Sequence, residues 1–457
     1  MSSGTLTREQ LEHLVSAGDV DTVSVVFSDL YGRLMGKRFD ARFFLDSVAA
    51  HGTHGCDYLL TVDMEMEPVA GYDFANWDKG YGDVHLQPEE NTLRKASWLD
   101  RTAIVICNVT DEATHKLLPV APRSLLHNQV QEAAKQGFSV MAASELEYYL
   151  FENTYRDAAG KNYHGLEAAG WYLEDYHVLQ ATRQEDFHGT LRRQLAASGI
   201  PVESTKGEWG KGQHEINIQY CDVMEMADRH VLLKQIAKEI AQQQELSVTF
   251  MAKYDERQAG SSCHVHLSLW NDAANAFAGS QAIGDIECSE VFRWFLGGWI
   301  AHAAEFMPFY APNVNSYKRY QAGSWAPTTL AWSRDNRTAG FRVVGSGDSL
   351  RIECRMPGAD CNPYLAYTAA LASGLDGIAN QVDPPSMFEG DAYRATDVAT
   401  APASLGEAIE LFSGSDFVRQ VLGEEIQQHY SHFFETERAA SQAAVTDWER
   451  RRYFERI

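Results

Sequence analysis

Apolar residues first recur at helical spacing. Leu11, Leu14 and Val15 share one face, and Thr7 with Gln10 forms a capping box ahead of them, so the chain opens with a helix. The period then changes. Thr22 to Phe27 is β-rich, Asp29 to Gly32 reads as a turn, and Arg33 to Phe39 returns as a second strand, giving a hairpin. Ala41 to Ala50 reads as a helix, and Asp57 to Val62 and Ala103 to Val109 as further strands. Gly71, Gly80, Gly82, Trp77 and Pro88 mark loops and short strands between them. Leu117 to Pro122 carries two prolines, which interrupt helix and sheet alike, and sets a boundary between domains at 1–116 and 117–457. Past it strands and helices alternate. Pro122 to Gln136, Arg183 to Ser198, Asp222 to Glu245, Phe292 to Met307 and Pro363 to Leu375 read as helices. Phe138 to Phe151, His214 to Gln219 and Cys263 to Trp270 read as strands, with a Tyr- and Gly-rich loop over 152–177.

Composition narrows the class. A length of 457 residues exceeds one typical core, and 45% apolar content is that of a soluble globular protein. The net charge of −24 argues against nucleic acid or an anionic membrane as partner. No apolar run is long enough to span a bilayer, and the N-terminal residues lack the pattern of a signal peptide. Seven scattered cysteines without a Cys-x-x-Cys fit reduced thiols, hence a cytoplasmic chain without a zinc site.

Charge inside the elements is patterned. Arg351, Glu353 and Arg355 alternate with Leu350, Ile352 and Cys354, so on a strand guanidinium, carboxylate and guanidinium share a face. Taken alone, that is a salt-bridge ladder on an outer strand. Glu145 and Glu147 share a face of an apolar strand, where like charges repel unless a cation lies between them. Glu208 and Glu215 frame Trp-Gly-Lys-Gly-Gln-His, whose glycines allow a loop tight enough to bring both carboxylates to one point. His264 and His266 share a third face, and neutral imidazole is a common ligand of divalent metals. The acidic run from Asp57 to Glu67 reads mainly as a solvated face, with Asp63 its one candidate. Together, five glutamates and one or two histidines can build two oxygen-rich sites suited to Mg²⁺ or Mn²⁺. Arg319, Arg337, Arg342, Arg351 and Arg355 beside such metals are parts for phosphoryl transfer from ATP.

Six segments in order, Glu-Leu-Glu-Tyr-Tyr-Leu-Phe (145–151), Gly-Gln-His-Glu-Ile-Asn (212–217), Gly-Ser-Ser-Cys-His-Val-His (260–266), Asn-Ser-Tyr-Lys-Arg (315–319), Asn-Arg-Thr-Ala (336–339) and Arg-Ile-Glu-Cys-Arg-Met-Pro (351–357), resemble the signature blocks of class I glutamine synthetases. The resemblance implies an α+β fold, with an N-terminal β-grasp domain and a catalytic domain built on a curved antiparallel sheet with flanking helices. It implies a homododecamer of two hexameric rings with active sites between neighbours, and two or three Mg²⁺ or Mn²⁺ per site. It implies ATP as co-substrate, and a γ-glutamyl phosphate that an amine then displaces. Carried over block by block, Glu147, Glu208 and Glu215 would hold one metal, and Glu145, His264 and Glu353 the second. Arg319 would grip the α-carboxylate of glutamate, with Gly260 near its amino group and Arg355 at the γ-carboxylate. Arg337, Arg342 and Arg351 would line the phosphates, Arg337 as a catalytic group. Glu203, His266 and Ser268 would approach the nucleotide.

The pattern departs from the family at the amine side. Where glutamine synthetases carry Tyr-Glu-Ala-Pro, this chain has Ser324-Trp325-Ala326-Pro327. An indole cannot take a proton from ammonium, but it offers an apolar wall or a π-face to an organic cation. Ala259 replaces the usual asparagine before the glycine, and Asp63 stands as candidate for the ammonium-side aspartate. The expectation is a ligase joining the glutamate γ-carboxylate to a primary amine, a short one such as ethanolamine rather than a polyamine. Two alternatives are ordinary glutamine synthesis from ammonia and a non-catalytic scaffold.

Overall fold

The computed structural model describes residues 4–272 and 274–457; Met1–Ser3, part of the start read for a signal peptide, lie outside the described residues. The capping box forms as expected: the Thr7 hydroxyl accepts from the Gln10 N–H, and helix Arg8–Ala17 follows. Six strands then build a small sheet, β1 (Thr22–Ser28), β2 (Leu34–Asp40), β3 (Thr53–Cys56), β4 (Asp83–Pro88), β5 (Arg94–Lys95) and β6 (Thr102–Asp111). Their order is β2-β1-β6-β4-β3, with β5 on β6. The β1–β2 hairpin is antiparallel and β1–β6 is parallel.

One reading of this region needs correction. Asp57 to Val62 is not a strand: Asp57–Leu60 is a 3-10 turn, and the strand lies just before it at β3. The Asp57 carboxylate accepts from the Gly82 N–H, which turns the chain where its β-prone side chains alone suggest extension. The segment Ala41–His51 is helical, but its middle, Phe44–Val48, is π-helical.

The second sheet has ten strands. Its path is β16 (Trp332–Arg334), β17 (Phe341–Val344), β18 (Arg351–Cys354), β12 (Cys263–Asn271), β7 (Ser139–Phe151), β9 (Gln213–Ile218) and β8 (Val202–Gly207). The short strands β10 (Cys221–Asp222) and β11 (Ser247–Thr249) pair with β7, and β13 (Ala274–Asn275) with β12. All pairings are antiparallel except β16–β17. A separate hairpin joins β14 (Gln281–Ile283) to β15 (Ile286–Cys288).

Alternation on β7 sorts its two faces. Val140, Ala142, Leu146, Tyr148 and Leu150 are buried on the side of helix Val223–Gln243, where the Ser144 hydroxyl meets His230 Nδ1 at 3.1 Å. Glu145 and Glu147 point the other way. Helix Glu290–His302 packs on Pro363–Asn380. The helix expected to reach Met307 stops at His302, and Met307–Tyr310 forms a separate turn of helix. The helix expected from Arg183 to Ser198 forms as Glu185–Ala197, a further helix, Val178–Arg183, precedes it, and the 152–177 loop holds a short helix, Tyr155–Gly160, capped by Thr154.

Apolar packing runs unbroken from the small sheet into the large one. The part-buried ion pair of Arg94 with Glu225 at 3.1 Å reinforces the join, and Arg123, paired with Asp228 at 3.0 Å, also donates to the Asn108 side chain on β6. The Asn362 amide reaches back to donate to the Asp29 and Leu30 carbonyls. Among the described residues no helix is long and apolar enough to cross a membrane.

Candidate active site

Strand register assembles the acidic cluster. Glu145 on β7 stands opposite His264 on β12, and Glu147 opposite Glu215 on β9. His266 faces Glu353 on β18, and Glu353 faces Arg342 on β17. Directly opposed side chains on one face lie within reach of each other, so residues far apart in the chain become contacts. Two groups of ligand atoms each lie within 4.8 Å: Glu145, His264 and Glu353, and Glu147, Glu215 and His264.

The individual carboxylates are positioned by their neighbours. Glu147 Oε2 accepts from the Ser262 N–H at 2.7 Å and from the Gln213 amide at 3.3 Å, which leaves Oε1 for another partner. Glu215 Oε1 accepts from the Asn217 amide at 3.0 Å. Burial raises the pKa of Glu215, and the nearby Glu145 charge raises it further. Such a group gains from a bound cation. Glu353 has no exposure at all. Arg355 lies 2.6 Å from its Oε1 and Arg342 2.8 Å from its Oε2. Burial opposes its ionisation, but Arg355, then His264 and His266, outweigh that and bring its pKa down to about 2. Burial likewise opposes the charge on Glu145, yet His266 and His264 hold its pKa well below the carboxylate range.

Two cavities meet at Glu145 and Asn217. The first, of about 460 Å³, is lined by Glu145, Glu147, Glu208, Glu215, Gly260, His264, Arg319, Trp325, Arg337, Arg342 and Arg355. The second, of about 470 Å³, takes in Glu203, His266, Ser268 and Arg351. Every sequence-derived candidate therefore lines one of them except Glu353, buried beneath the cluster, and Asp63. The Asp63 carboxylate caps its own turn by accepting from the Glu65 and Glu67 N–H groups, and it reaches neither cavity within this chain. Glu208 lines the first cavity but stands outside both ligand groups, and the Lys206 ammonium is paired with it.

The arginines are built for anions. Arg319 is 2% exposed; it donates to the Met356 carbonyl, but its Nε has no partner among the described residues. Arg355 likewise keeps a buried Nε without a partner. Buried unpaired guanidinium donors are costly unless a ligand completes them. Gly260 is required beside Arg319, because a Cβ there would lie 2.5 Å from Arg319 Cγ. Gly212, at φ +76°, turns the loop that carries Glu208 back to Glu215. Arg337 is exposed at the rim and makes no ion pair among the described residues.

Trp325 lines the same cavity at 47% exposure, with φ at +65°. A left-handed backbone is uncommon for a bulky residue and costs of order 1–3 kcal/mol, strain that concentrates at functional positions. Its ring meets Trp209 edge-on at 5.7 Å, and Tyr176 and Asp175 line the wall beyond. Sequence reasoning named neither Trp209, Tyr176 nor Lys206. Trp209 directly follows Glu208 and Lys206 lies two residues before it, a spacing that already places Lys206 beside that carboxylate.

The model of the glutamine synthetase catalytic domain matches residues 119–453. A gamma-glutamylethanolamide synthetase of Streptomyces coelicolor is 46% identical, over 98% of this chain and 96% of its own length. A glutamate–isopropylamine ligase of a Pseudomonas species is 35% identical over 98% of both chains. Among solved structures, a GmaS/ADP complex superposes with a TM-score of 0.84 at 27% identity, covering 97% of this chain and 99% of that one. The two-sheet fold, the paired clusters of metal-ligating atoms and these likenesses converge: the chain belongs to the glutamine synthetase family.

Proposed function

We propose that the chain joins the γ-carboxylate of glutamate to a short primary amine, at the expense of ATP, through a γ-glutamyl phosphate. The observation that carries the reading is Trp325 on the wall of the cavity that also holds Arg319, Arg355 and the glutamates. Where a carboxylate would attract ammonium, an indole favours a carbon-bearing amine. The relatives that make γ-glutamylethanolamide and ligate isopropylamine support the same conclusion, with ethanolamine as the first candidate. Ordinary glutamine synthesis lacks its glutamate at Trp325, and a scaffold has no use for a buried charge cluster this costly to keep.

The residues divide the work. The buried Nε groups of Arg319 and Arg355 suit the two carboxylates of glutamate. Arg337, exposed at the rim, and Arg342 stand ready for the transferred phosphoryl group, and Arg351, Glu203, His266 and Ser268 for the nucleotide in the second cavity. Divalent metal fits the clustered oxygens: Glu145, His264 and Glu353 would hold one ion, and Glu147 and Glu215, joined by Glu208, another, Mg²⁺ or Mn²⁺ by ligand type. Bound there, the ions would neutralise phosphate charge during transfer. Asp63 is proposed to act in a neighbouring subunit's site, within a dodecamer. Seven free cysteines fit a cytoplasmic location.

The test is phosphate release from ATP with glutamate across ammonium, methylamine, ethanolamine, putrescine and aniline, with products identified by mass. Turnover with ethanolamine and little with ammonium is expected, and chelation should abolish it. Preference for ammonium would overturn the reading.

A further inference from the structure

A third cavity, of about 220 Å³, shares no lining residue with the two catalytic ones. It forms where the loop over 71–74 meets the helix Glu424–Ala443. The His432 ring donates from Nε2 to the Ala70 carbonyl at 2.8 Å and pins that loop to the helix. Gly71, at φ +98°, permits the approach, since a Cβ there would lie 2.9 Å from His432 Cε1. The buried part of the lining includes Tyr72, 2% exposed, and His429, 6% exposed, with ring centroids 4.7 Å apart. The Tyr72 hydroxyl and His429 Nε2 have no hydrogen-bond partner among the described residues. Buried polar atoms of this kind are costly unless something completes them.

The exposed part of the lining carries charge of one sign. Asp73 and Glu425 stand there with no lysine or arginine among the described residues that line the cavity. Lys79, just outside, donates to the Asp73 backbone carbonyl, and neither carboxylate has an ion pair among the described residues. An anion would therefore meet two uncompensated carboxylates. Burial keeps both inner groups neutral: it pushes the Tyr72 hydroxyl well up and the His429 ring down to about 3. A phenol oxygen and the bare nitrogen of a neutral imidazole both accept hydrogen bonds. Among the described residues, the ligand atoms close enough together for a metal ion are all in the active site. An ammonium supplies three N–H donors, and a carbon stem attached to it would lie against the rings of Tyr72 and Phe74. The volume exceeds the ~150 Å³ that accommodates a benzene ring.

We propose that this cavity is a second ligand site, outside the reaction, for a compact primary ammonium on a short carbon stem. Tyr72 and His429 accept its N–H groups, and Asp73 and Glu425 balance its charge. A backbone hydrogen bond joins Leu60 to His429, as the Ala70 carbonyl is joined to His432. The segment 60–70, with Asp63 inside it, is thus held at both ends by the helix that walls the site. The inference does not depend on which amine the active site takes.

Calorimetric titration of the full chain, without ATP or glutamate, tests it with ethanolamine, propylamine and choline as probes. Binding of ethanolamine and propylamine is expected to survive Trp325→Ala, which alters the catalytic cavity alone. It should weaken by about ten-fold or more when Asp73→Asn and Glu425→Gln are combined, and likewise in His429→Phe, as charge-assisted bonds are lost. Choline, whose nitrogen carries no hydrogen, should bind about ten-fold more weakly than ethanolamine. Asp73 and Glu425 are exposed, so their double variant decides the matter if His429→Phe does not fold. Binding that is lost in Trp325→Ala but kept in the double variant would confine the amine to the catalytic cavity and overturn the inference, with the proposed function untouched. Absence of amine binding in Trp325→Ala and in the unchanged protein overturns it as well, leaving the cavity to water alone. Choline binding as tightly as ethanolamine would reject the primary ammonium.

Discussion

At the scale of single residues, selectivity and charge balance are separable. Trp325 touches the cavity without joining the ligand groups, so replacing it should alter which amine reacts more than whether phosphate is released. Trp325→Glu is expected to raise the ratio of kcat/KM for ammonium over ethanolamine by at least about ten-fold, within the range one pocket contact supplies. An unchanged ratio in the amine panel would reject the assignment. Glu353 is a different case. It neutralises Arg342 and Arg355 from a fully buried position, so Glu353→Gln leaves the buried Arg355 without its carboxylate and Arg342 with Asp335 alone. A loss of about 3–5 kcal/mol in urea unfolding of the metal-free chain is expected, together with loss of turnover. The resemblance made Glu353 legible as a ligand. Its equal standing as counter-ion to Arg342 was not legible, because that pairing runs across β17 and β18 rather than along either strand.

At the scale of elements, the loop over the cavity rests on a buried polar group. Glu174 Oε2 lies 3.5 Å from His214 Nε2 without a hydrogen bond among the described residues, and Oε1 accepts from the Gln184 amide at 3.2 Å. Burial pushes its pKa from 4.5 up to about 7. The folded chain therefore keeps a proton that the unfolded chain has lost, so this group makes stability fall as pH rises between those values. His188 acts in the opposite sense: burial pushes its pKa from 6.5 down to about 3, and the stability it confers is lost as pH falls through that window. Glu174→Gln should make stability between pH 4.5 and 7 rise more, or fall less, than in the unchanged protein, in urea unfolding curves collected across pH. An unaltered slope would mean that another group carries it. The strands and helices with clear periodicity were read from sequence to within a few residues. β8 was missed because Glu-Ser-Thr-Lys has no apolar alternation, although Pro201 and Gly207 bound it. Lys206 was missed with it, since its significance comes from the strand beside it.

At the scale of the molecule, the position of Asp63 is the informative oddity. It lines neither cavity in its own chain, so a part in the reaction requires a second copy. Asp63→Asn and Glu353→Gln should each depress turnover. Dissociating and reassembling the two together should restore a measurable fraction, since mixed contacts can pair an intact Asp63 with an intact Glu353. No recovery, with assembly verified by light scattering, would confine Asp63 to its turn.

The cross-strand origin of the ligands also bears on how the chain matures. Glu145, Glu215, His264 and Glu353 are spread over more than two hundred positions of chain and meet only when β7, β9, β12 and β18 are in register. A slip of one residue in β12 would turn His264 and His266 to the helix side. Closing such distant contacts is the slow part of folding a sheet. No early fragment can therefore gather enough oxygen and nitrogen to trap an ion, and metal capture becomes a late event that certifies a finished sheet.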